Sequence, residues 1–412
     1  MSLIRPFPGW RPRPDLVRAV AAPPYDVLNR NEAATMALGN PHSFLHVSKA
    51  EIDLDPAISP HDEQVYQTAR RHFRTMQQSG VLVQDESPCL YVYRLTHAGH
   101  QQTGLVAAIS VDAYLNDRVK KHEHTRPDKE DDRTRIADVL DANSGPVFLT
   151  YRHDESIQQV LEQIVGHQPA CDFVATDGVR HTFWVVSEAS FIDRLVTLFD
   201  TLSALYIADG HHRAAAASRV CRARRDQRGA MVGETPVDRF LGVMFPDDQV
   251  RILEYNRVVR DLRGATPQEF LARVAERFDV QPEDQPVKPD KPRCFGMFLA
   301  GTWYRLTSRP DVSIGHDPVE RLDVSLLQDH LLQPILGIVN PRLDGRIDFV
   351  GGVRGLAGLV ERVRSGEMAV AFSLYPTALA DLMTVADAGR VMPPKSTWFE
   401  PKLRDGMVVQ TF

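Results

Sequence analysis

One stretch constrains the fold more than any other. The apolar run Leu205-Tyr206-Ile207-Ala208 stops at Asp209-Gly210 and passes at once into His211-His212-Arg213. An alanine- and arginine-rich segment follows, from Ala214 to about Arg225. The first part reads as a strand and the last as a helix. A strand that feeds a helix through a glycine turn belongs to a sheet that carries helices. The turn has chemistry of its own. The first backbone N–H groups of a helix lack internal partners, and the helix dipole is positive there. An anion such as phosphate suits that place. Gly210 permits close backbone approach, and Arg213 can offer two parallel hydrogen bonds to phosphate oxygens. Asp209 is a candidate Mg²⁺ ligand, and it serves equally well as an ordinary helix N-cap.

The rest of the chain agrees with a mixed architecture. Asp62 to Gly80 has helical spacing, with Val65, Ala69, Phe73 and Met76 on one side. Leu90 to Leu95 and Gly104 to Val111 read as neighbouring strands around His97-Ala98-Gly99-His100, with a short helix from Val111 to Leu115. Pro146 to Tyr151 is a further strand, and Cys171 to Ser187 a hairpin turning at Asp177-Gly178. A second hairpin is expected over Phe240–Val259, turning at Pro246-Asp247-Asp248, and Thr266-Pro267-Gln268-Glu269 starts a helix. The fold class is therefore α+β with mixed sheets. Pro6, Pro8, Pro12, Pro14, Pro23 and Pro24 mark an N-terminal segment expected to run extended over the surface. Pro282, Pro286, Pro289 and Pro292 mark the best linker. Domains are expected at 1–88, 89–280 and 294–412, with the linker at 281–293.

Composition narrows the function. The 412 residues carry 48 Lys and Arg against 54 Asp and Glu, a net charge of −6. That argues against a protein that coats nucleic acid, which needs a clustered basic surface. Four scattered cysteines, Cys89, Cys171, Cys221 and Cys294, form no CxxC pair and fit a reducing cytoplasm. No signal peptide or membrane span is expected.

Two more constellations carry candidate chemistry. In Lys120-Lys121-His122-Glu123-His124-Thr125-Arg126, Glu123 can act as a general base on a substrate hydroxyl. Lys120, Lys121 and Arg126 can offset transferred negative charge. Read blandly, the stretch from Lys120 to Asp132 is a solvated charged loop. In Pro393-Pro394-Lys395-Ser396-Thr397, Lys395, Ser396 and Thr397 can line a substrate pocket, or merely form a loop ahead of core residues Trp398 and Phe399. Weaker candidates are Gly351-Gly352-Val353-Arg354-Gly355, Arg5, Tyr25 and Asp26.

The chain as a whole resembles the domain-of-unknown-function 1015 family. The resemblance rests on Arg5-Pro6-Phe7, Ala22-Pro23-Pro24-Tyr25-Asp26-Val27, Lys120 to Glu123, Thr125 to Glu130, Ala208 to Arg213 and Pro393 to Thr397. Within it, His122-Glu123 and Asp209-Gly210-His211-His212-Arg213 are similar to the motifs of free L-serine kinases of the ParB/sulfiredoxin superfamily. That resemblance spans about Tyr91 to Arg225, with Pro146 to Leu198 as an insertion. It implies a ParB/sulfiredoxin-like core with large N- and C-terminal additions. It also implies Glu123 as general base and Asp209–Arg213 as phosphate cradle. A sulfiredoxin needs a nucleophilic cysteine where this chain has His211. A ParB protein needs DNA-reading elements that the sequence lacks.

The expected function is a small-molecule kinase that moves phosphoryl from ATP, ADP or pyrophosphate, with Mg²⁺, to a hydroxyl, most plausibly that of free L-serine. Glu123, Asp209 and His212 are the catalytic candidates. Gly210, His211, His212, Arg213, Lys120, Lys121 and Arg126 are the phosphate-binding ones. One rival is a metal-dependent phosphohydrolase using His122, His124, Asp209, His211 and His212. The other is a non-catalytic nucleotide-binding regulator. Partners are a nucleotide and a small molecule, without nucleic acid or membrane, and a homodimer is compatible.

Overall fold

The computed structural model describes residues 2–228, 233–310 and 315–412. The chain divides into two compact units, Met1–Val250 with Pro401–Phe412, and Arg251–Glu400. The expected mixture of helices and mixed sheets is present.

The first unit is built on a nine-stranded sheet. Its strands run, side by side, Val119–Lys120, Leu205–Asp209, Val147–Tyr151, Arg239–Pro246, His100–Ser110, Leu90–His97, Arg180–Val186 and Cys171–Val174, with Ile4–Arg5 also pairing on His100–Ser110. Two pairings are parallel, Leu205–Asp209 with Val119–Lys120 and Arg239–Pro246 with Val147–Tyr151. The others are antiparallel. The apolar sides of Leu205, Ile207, Leu149, Leu105 and Ile109 meet Ala214, Ala217 and Cys221 from the helix His211–Arg228 in one buried core. Small residues on that helix let it lie close to the sheet. A second core holds the N-terminal helices. There Val65, Tyr66, Ala69, Phe73 and Met76 from Glu63–Gln78 pack with Phe44, Leu45, Ile136 and Leu140.

The second unit is a six-stranded antiparallel sheet in the order Phe278–Glu283, Thr302–Ser308, Cys294–Leu299, Val370–Leu374, Tyr255–Val259 and Ile347–Gly351. Leu359 of the helix Gly355–Arg364 is buried against Val258, Phe298 and Ala371 of this sheet.

Local expectations hold where the signal is local. Asp62 caps Glu63–Gln78, and Gly80 adopts φ +71° beyond its end. Thr266 and Glu269 form the expected capping box. Both turns, at Ala98-Gly99 and at Asp177-Gly178, join paired strands. Three expectations are corrected. Arg239–Pro246 and Tyr255–Val259 do not form a hairpin, because each finds its partners in a different sheet. The proline-rich stretch 281–293 is no linker. It starts inside the edge strand Phe278–Glu283, where Pro282 is tolerated because one side of the strand has no partner. Residues 1–88 are not a separate extension, since Ile4 and Arg5 join the central sheet and Trp10–Pro12 pairs with Leu82–Gln84. Among the described residues no helix is long and apolar enough to cross a membrane, and all four cysteines are free.

Candidate functional site

The strand Leu205–Asp209 ends in an irregularity. Its register against Val147–Tyr151 shifts between Ile207 and Asp209. Gly210 follows at φ +91°, a conformation that favours glycine. Its carbonyl accepts from the N–H groups of Arg213 (2.9 Å) and Ala214 (3.2 Å), so Gly210 is the N-cap of the 18-residue helix His211–Arg228. The N–H groups of His211 and His212 are the open end of that helix. Asp209 turns back on the turn: its Oδ1 accepts from the Gly210 N–H at 2.8 Å.

The second motif arrives on the neighbouring strand. Val119 and Lys120 pair in parallel with Leu205 and Tyr206. Residues 121–126 therefore leave the sheet on the same side as the turn. The His122 N–H donates to His211 Nε2 over a long 3.5 Å, and the two rings meet edge to face with centroids 4.5 Å apart. The Arg126 N–H donates to His212 Nε2 at 3.0 Å. Both histidines of the turn thus act as acceptors that pin the incoming loop. Burial keeps them neutral. It pulls His122 down to about 4, holds His211 well below its ordinary value with help from the neighbouring His122, and lowers His212. Glu123 sits half-buried in this loop, directly after buried His122, while His124 is exposed.

The cations are arranged differently from expectation. Arg213 does not face an open cradle. Its guanidinium donates to both carboxylate oxygens of Asp405, at 2.8 and 2.9 Å, and to the Pro146 carbonyl at 3.1 Å. The two side chains keep only 14% and 3% of their surface. Arg213 is therefore committed to holding structure. Lys121 donates to the Tyr114 carbonyl at 3.1 Å and lies over the Tyr114 ring. The Arg126 side chain pairs with Asp128 on the surface. Lys120 lies 4.0 Å from Asp117. The stretch read as a charged loop ends at Arg126, for Pro127–Leu140 is a helix with proline at its first position. That proline was the available signal.

The sequence reading missed Lys402 and Asp405. The segment Pro401–Phe412 returns to the first unit, where Gln410–Thr411 pairs with Ala142–Asn143 and Asp405 bridges Ala22. Lys402 Nζ donates to Asp209 Oδ2 at 2.7 Å. Burial works against the Asp209 charge, and Lys402 together with the Gly210 N–H outweighs it, holding the carboxyl below the usual range. Asp209, expected as a metal ligand, is thus an ion-pair partner. A single carboxylate already bound to an ammonium is not a resident magnesium site, which takes several oxygens. Nor do the donor atoms of His122, His124, Asp209, His211 and His212 form a group of three within ligating distance.

Tyr25 lies beside the turn, its ring 3.9 Å from the Arg133 guanidinium and 5.4 Å from that of Arg213. Burial pushes its hydroxyl up to about 12. Asp26 is exposed, and Arg5 pairs with Glu234. The remaining candidates lie in the second unit. There Ser396 Oγ donates to the Pro393 carbonyl at 2.6 Å, Thr377 donates to the Ser396 carbonyl, and Lys395 is exposed at φ +58°. Thr397 is half-buried, and Phe399 is in the core. Gly351 lies against the Trp398 ring, where a Cβ would come within 2.7 Å, so close packing accounts for that glycine.

Solved structures with likeness to this chain are distant. SbnI with a C-terminal truncation, from Staphylococcus aureus, is 12% identical over 73% of this chain and 85% of its own, with a TM-score of 0.39. A free serine kinase in complex with AMP is 14% identical over 71% and 86%, at 0.34. A conserved hypothetical protein from Pyrococcus furiosus is 16% identical over 73% and 93%, also at 0.34. No curated protein matches. The family model described as "Protein of unknown function (DUF1015)" matches residues 4–325. That is well over half of the chain, which therefore belongs to the DUF1015 family.

Proposed function

We propose that the first unit is a small-molecule kinase that binds a nucleotide by its phosphates and phosphorylates a hydroxyl, with free L-serine as the leading acceptor. The observation that carries this reading is the meeting of two motifs 86 to 89 residues apart in sequence, joined by the His122–His211 and Arg126–His212 hydrogen bonds. They put a half-buried carboxylate, Glu123, in the loop pinned to the open N-terminus of an 18-residue helix.

Phosphate oxygens accept from the His211 and His212 N–H groups, which cost no reorganisation because the helix already aims them. Neutral imidazoles suit this arrangement, since Nε2 of each accepts from the loop. Glu123 takes the hydroxyl proton as the substrate oxygen bonds to the terminal phosphorus. The bond from phosphorus to the bridging oxygen breaks, and the electron pair leaves with the shortened nucleotide, or with inorganic phosphate when the donor is pyrophosphate. Lys402 and Lys120 supply positive charge near the turn, while Arg213 supports it from behind through Asp405. The donor is ATP, ADP or pyrophosphate. Mg²⁺ carried by the donor would screen the charge of its phosphates. The serine acceptor rests on the sequence resemblance of the two motifs.

A second reading, nucleotide binding without transfer, is favoured by the commitment of Arg213 and Asp209 to protein partners. One experiment separates the two. The full chain is incubated with each donor, Mg²⁺ and an amino-acid panel, and products are read by mass spectrometry. Phosphoserine is expected, and Glu123→Gln should lower its formation by at least about 100-fold, as for loss of a general base, with nucleotide affinity kept. Full turnover in that variant would remove Glu123 as base. Nucleotide binding with no product from any donor would establish the second reading.

A further inference from the structure

A different part of the first unit holds a cluster that the proposed kinase site does not use. His46 on Leu45–Ser48, Asp53 at the end of the 3₁₀ turn Ala50–Asp53 and His72 on Glu63–Gln78 bring their ligating atoms together. His46 Nδ1 is 2.8 Å from Asp53 Oδ2, and His72 Nε2 is 3.0 Å from the same oxygen. The two imidazoles lie 5.2 Å apart at 33°.

The other nitrogen of His46 decides what sits between them. His46 Nε2 is 3.1 Å from the Asn40 carbonyl oxygen, which can only accept, so Nε2 carries the proton. A neutral His46 then turns the bare lone pair of Nδ1 towards a carboxylate. That arrangement is repulsive unless a cation lies between them. Either His46 is itself an imidazolium, or a metal ion takes the place of the second proton. A backbone carbonyl on the far nitrogen is the usual support of a metal-bound histidine, fixing both tautomer and ring orientation.

We propose that His46 Nδ1, His72 Nε2 and an Asp53 carboxylate oxygen form a binding site for a divalent metal of the zinc class. Two imidazoles and one carboxylate suit Zn²⁺, Co²⁺ or Ni²⁺, whereas Mg²⁺ and Ca²⁺ demand mostly oxygen. Tetrahedral Zn²⁺ with bonds of about 2.0–2.1 Å separates its ligands by roughly 3.3 Å. The observed 2.8 and 3.0 Å need to open by only a few tenths of an ångström. The side chains keep 14%, 27% and 36% of their surface, which leaves a side open for water as the remaining ligand. The turn that carries Asp53 is held by Arg30, whose guanidinium donates to the carbonyls of Leu54 (2.8 Å) and Asp55 (3.0 Å). The three ligands come from three elements, so the ion clips the segment Leu45–Asp53 to the helix Glu63–Gln78. The inference is independent of the proposed kinase site.

The test uses the full chain stripped with chelator. Calorimetric titration with Zn²⁺ should show one saturable site, and Asp53→Asn and His72→Gln should each weaken it by at least about 100-fold, with far-UV circular dichroism confirming the fold. Hydrogen exchange on the unaltered chain gives a second readout that needs no variant. Zn²⁺ should slow exchange in 40–55 and 68–78, and not around 119–126 or 209–213. Overturning results are no saturable binding up to about 1 mM, undiminished binding in folded variants, or protection confined to 119–126 and 209–213. The first of these would identify the trio as a histidine–carboxylate ion-pair cluster.

Discussion

Asp405→Ala tests the view that the last segment of the first unit is locked to the candidate site by a buried charge pair. In the native chain Arg213 gives Asp405 two short hydrogen bonds, and the pair is almost wholly removed from water. Removing the carboxylate leaves the guanidinium hydrogen-bonded to the Pro146 carbonyl alone on that side. Gly145 shows how tightly the pair is enclosed, for a Cβ there would come within 2.1 Å of Arg213 Nη1 and 2.4 Å of Asp405 Oδ1. Breaking one side of such a pair costs about 3–5 kcal/mol. The assay is native-state hydrogen exchange of residues 401–412, because local opening reports on the strap without assuming that both units unfold together. The Asp405, Val409 and Phe412 amides donate to Ala22, Trp10 and Asp141, so they are expected to be protected. A loss of 3–5 kcal/mol lowers their protection by roughly two to four orders of magnitude, at about 1.4 kcal/mol per decade. The double variant Arg213→Met/Asp405→Leu should recover most of it, since apolar replacement of a whole buried pair is often neutral. Unchanged protection in Asp405→Ala would refute the reasoning.

Two further predictions concern the same unit. Gly210→Ala should destabilise by about 1–3 kcal/mol through its positive φ, since the nearest neighbours of a Cβ lie at ordinary contact distances. A thermal melt checks this, and an unshifted transition would show that the turn tolerates a side chain. His181 is fully buried, with Nδ1 2.7 Å from the Tyr93 hydroxyl and Nε2 accepting from Arg404 Nε at 3.4 Å. Burial, helped by Arg404, holds it down to about 3. Its folded value lies below the unfolded value of about 6.5, so the unfolded chain takes up the proton first as pH falls. Its contribution to stability is fully present above pH ~6.5 and declines towards pH ~3, by several kcal/mol at most. The urea midpoint should fall over that window, with a shallower slope in His181→Gln. An identical slope in the variant would show that another group sets the pH response.

What the sequence revealed depended on distance along the chain. The Gly210 turn, the capping box at Thr266 and the helix start at Asp62 were legible because their determinants lie within a few residues of one another. The convergence of His122 and His211 was only implied by a resemblance, since nothing local says which strand lies beside Leu205–Asp209. The protein partner of Arg213 was hidden for the same reason. Its charge pointed to a ligand, but its partner is a carboxylate 192 residues later. Lys402 carried no signal at all: one lysine after a proline looks like any surface lysine until the fold sets it against Asp209. The hairpin expected at 240–259 failed because strand propensity does not say which sheet a strand joins, and Val250 is where the chain passes from one unit to the other.

The return of Pro401–Phe412 to the first unit also sets an order of events during synthesis. Asp209 and Arg213 leave the ribosome 193 and 192 residues ahead of Lys402 and Asp405. At about 5–20 residues per second, that is a wait of roughly 10–40 s. Throughout it the turn bears a carboxylate and a guanidinium without those two partners, while the whole of Arg251–Glu400 is made. The first unit to begin folding is thus the last to be completed.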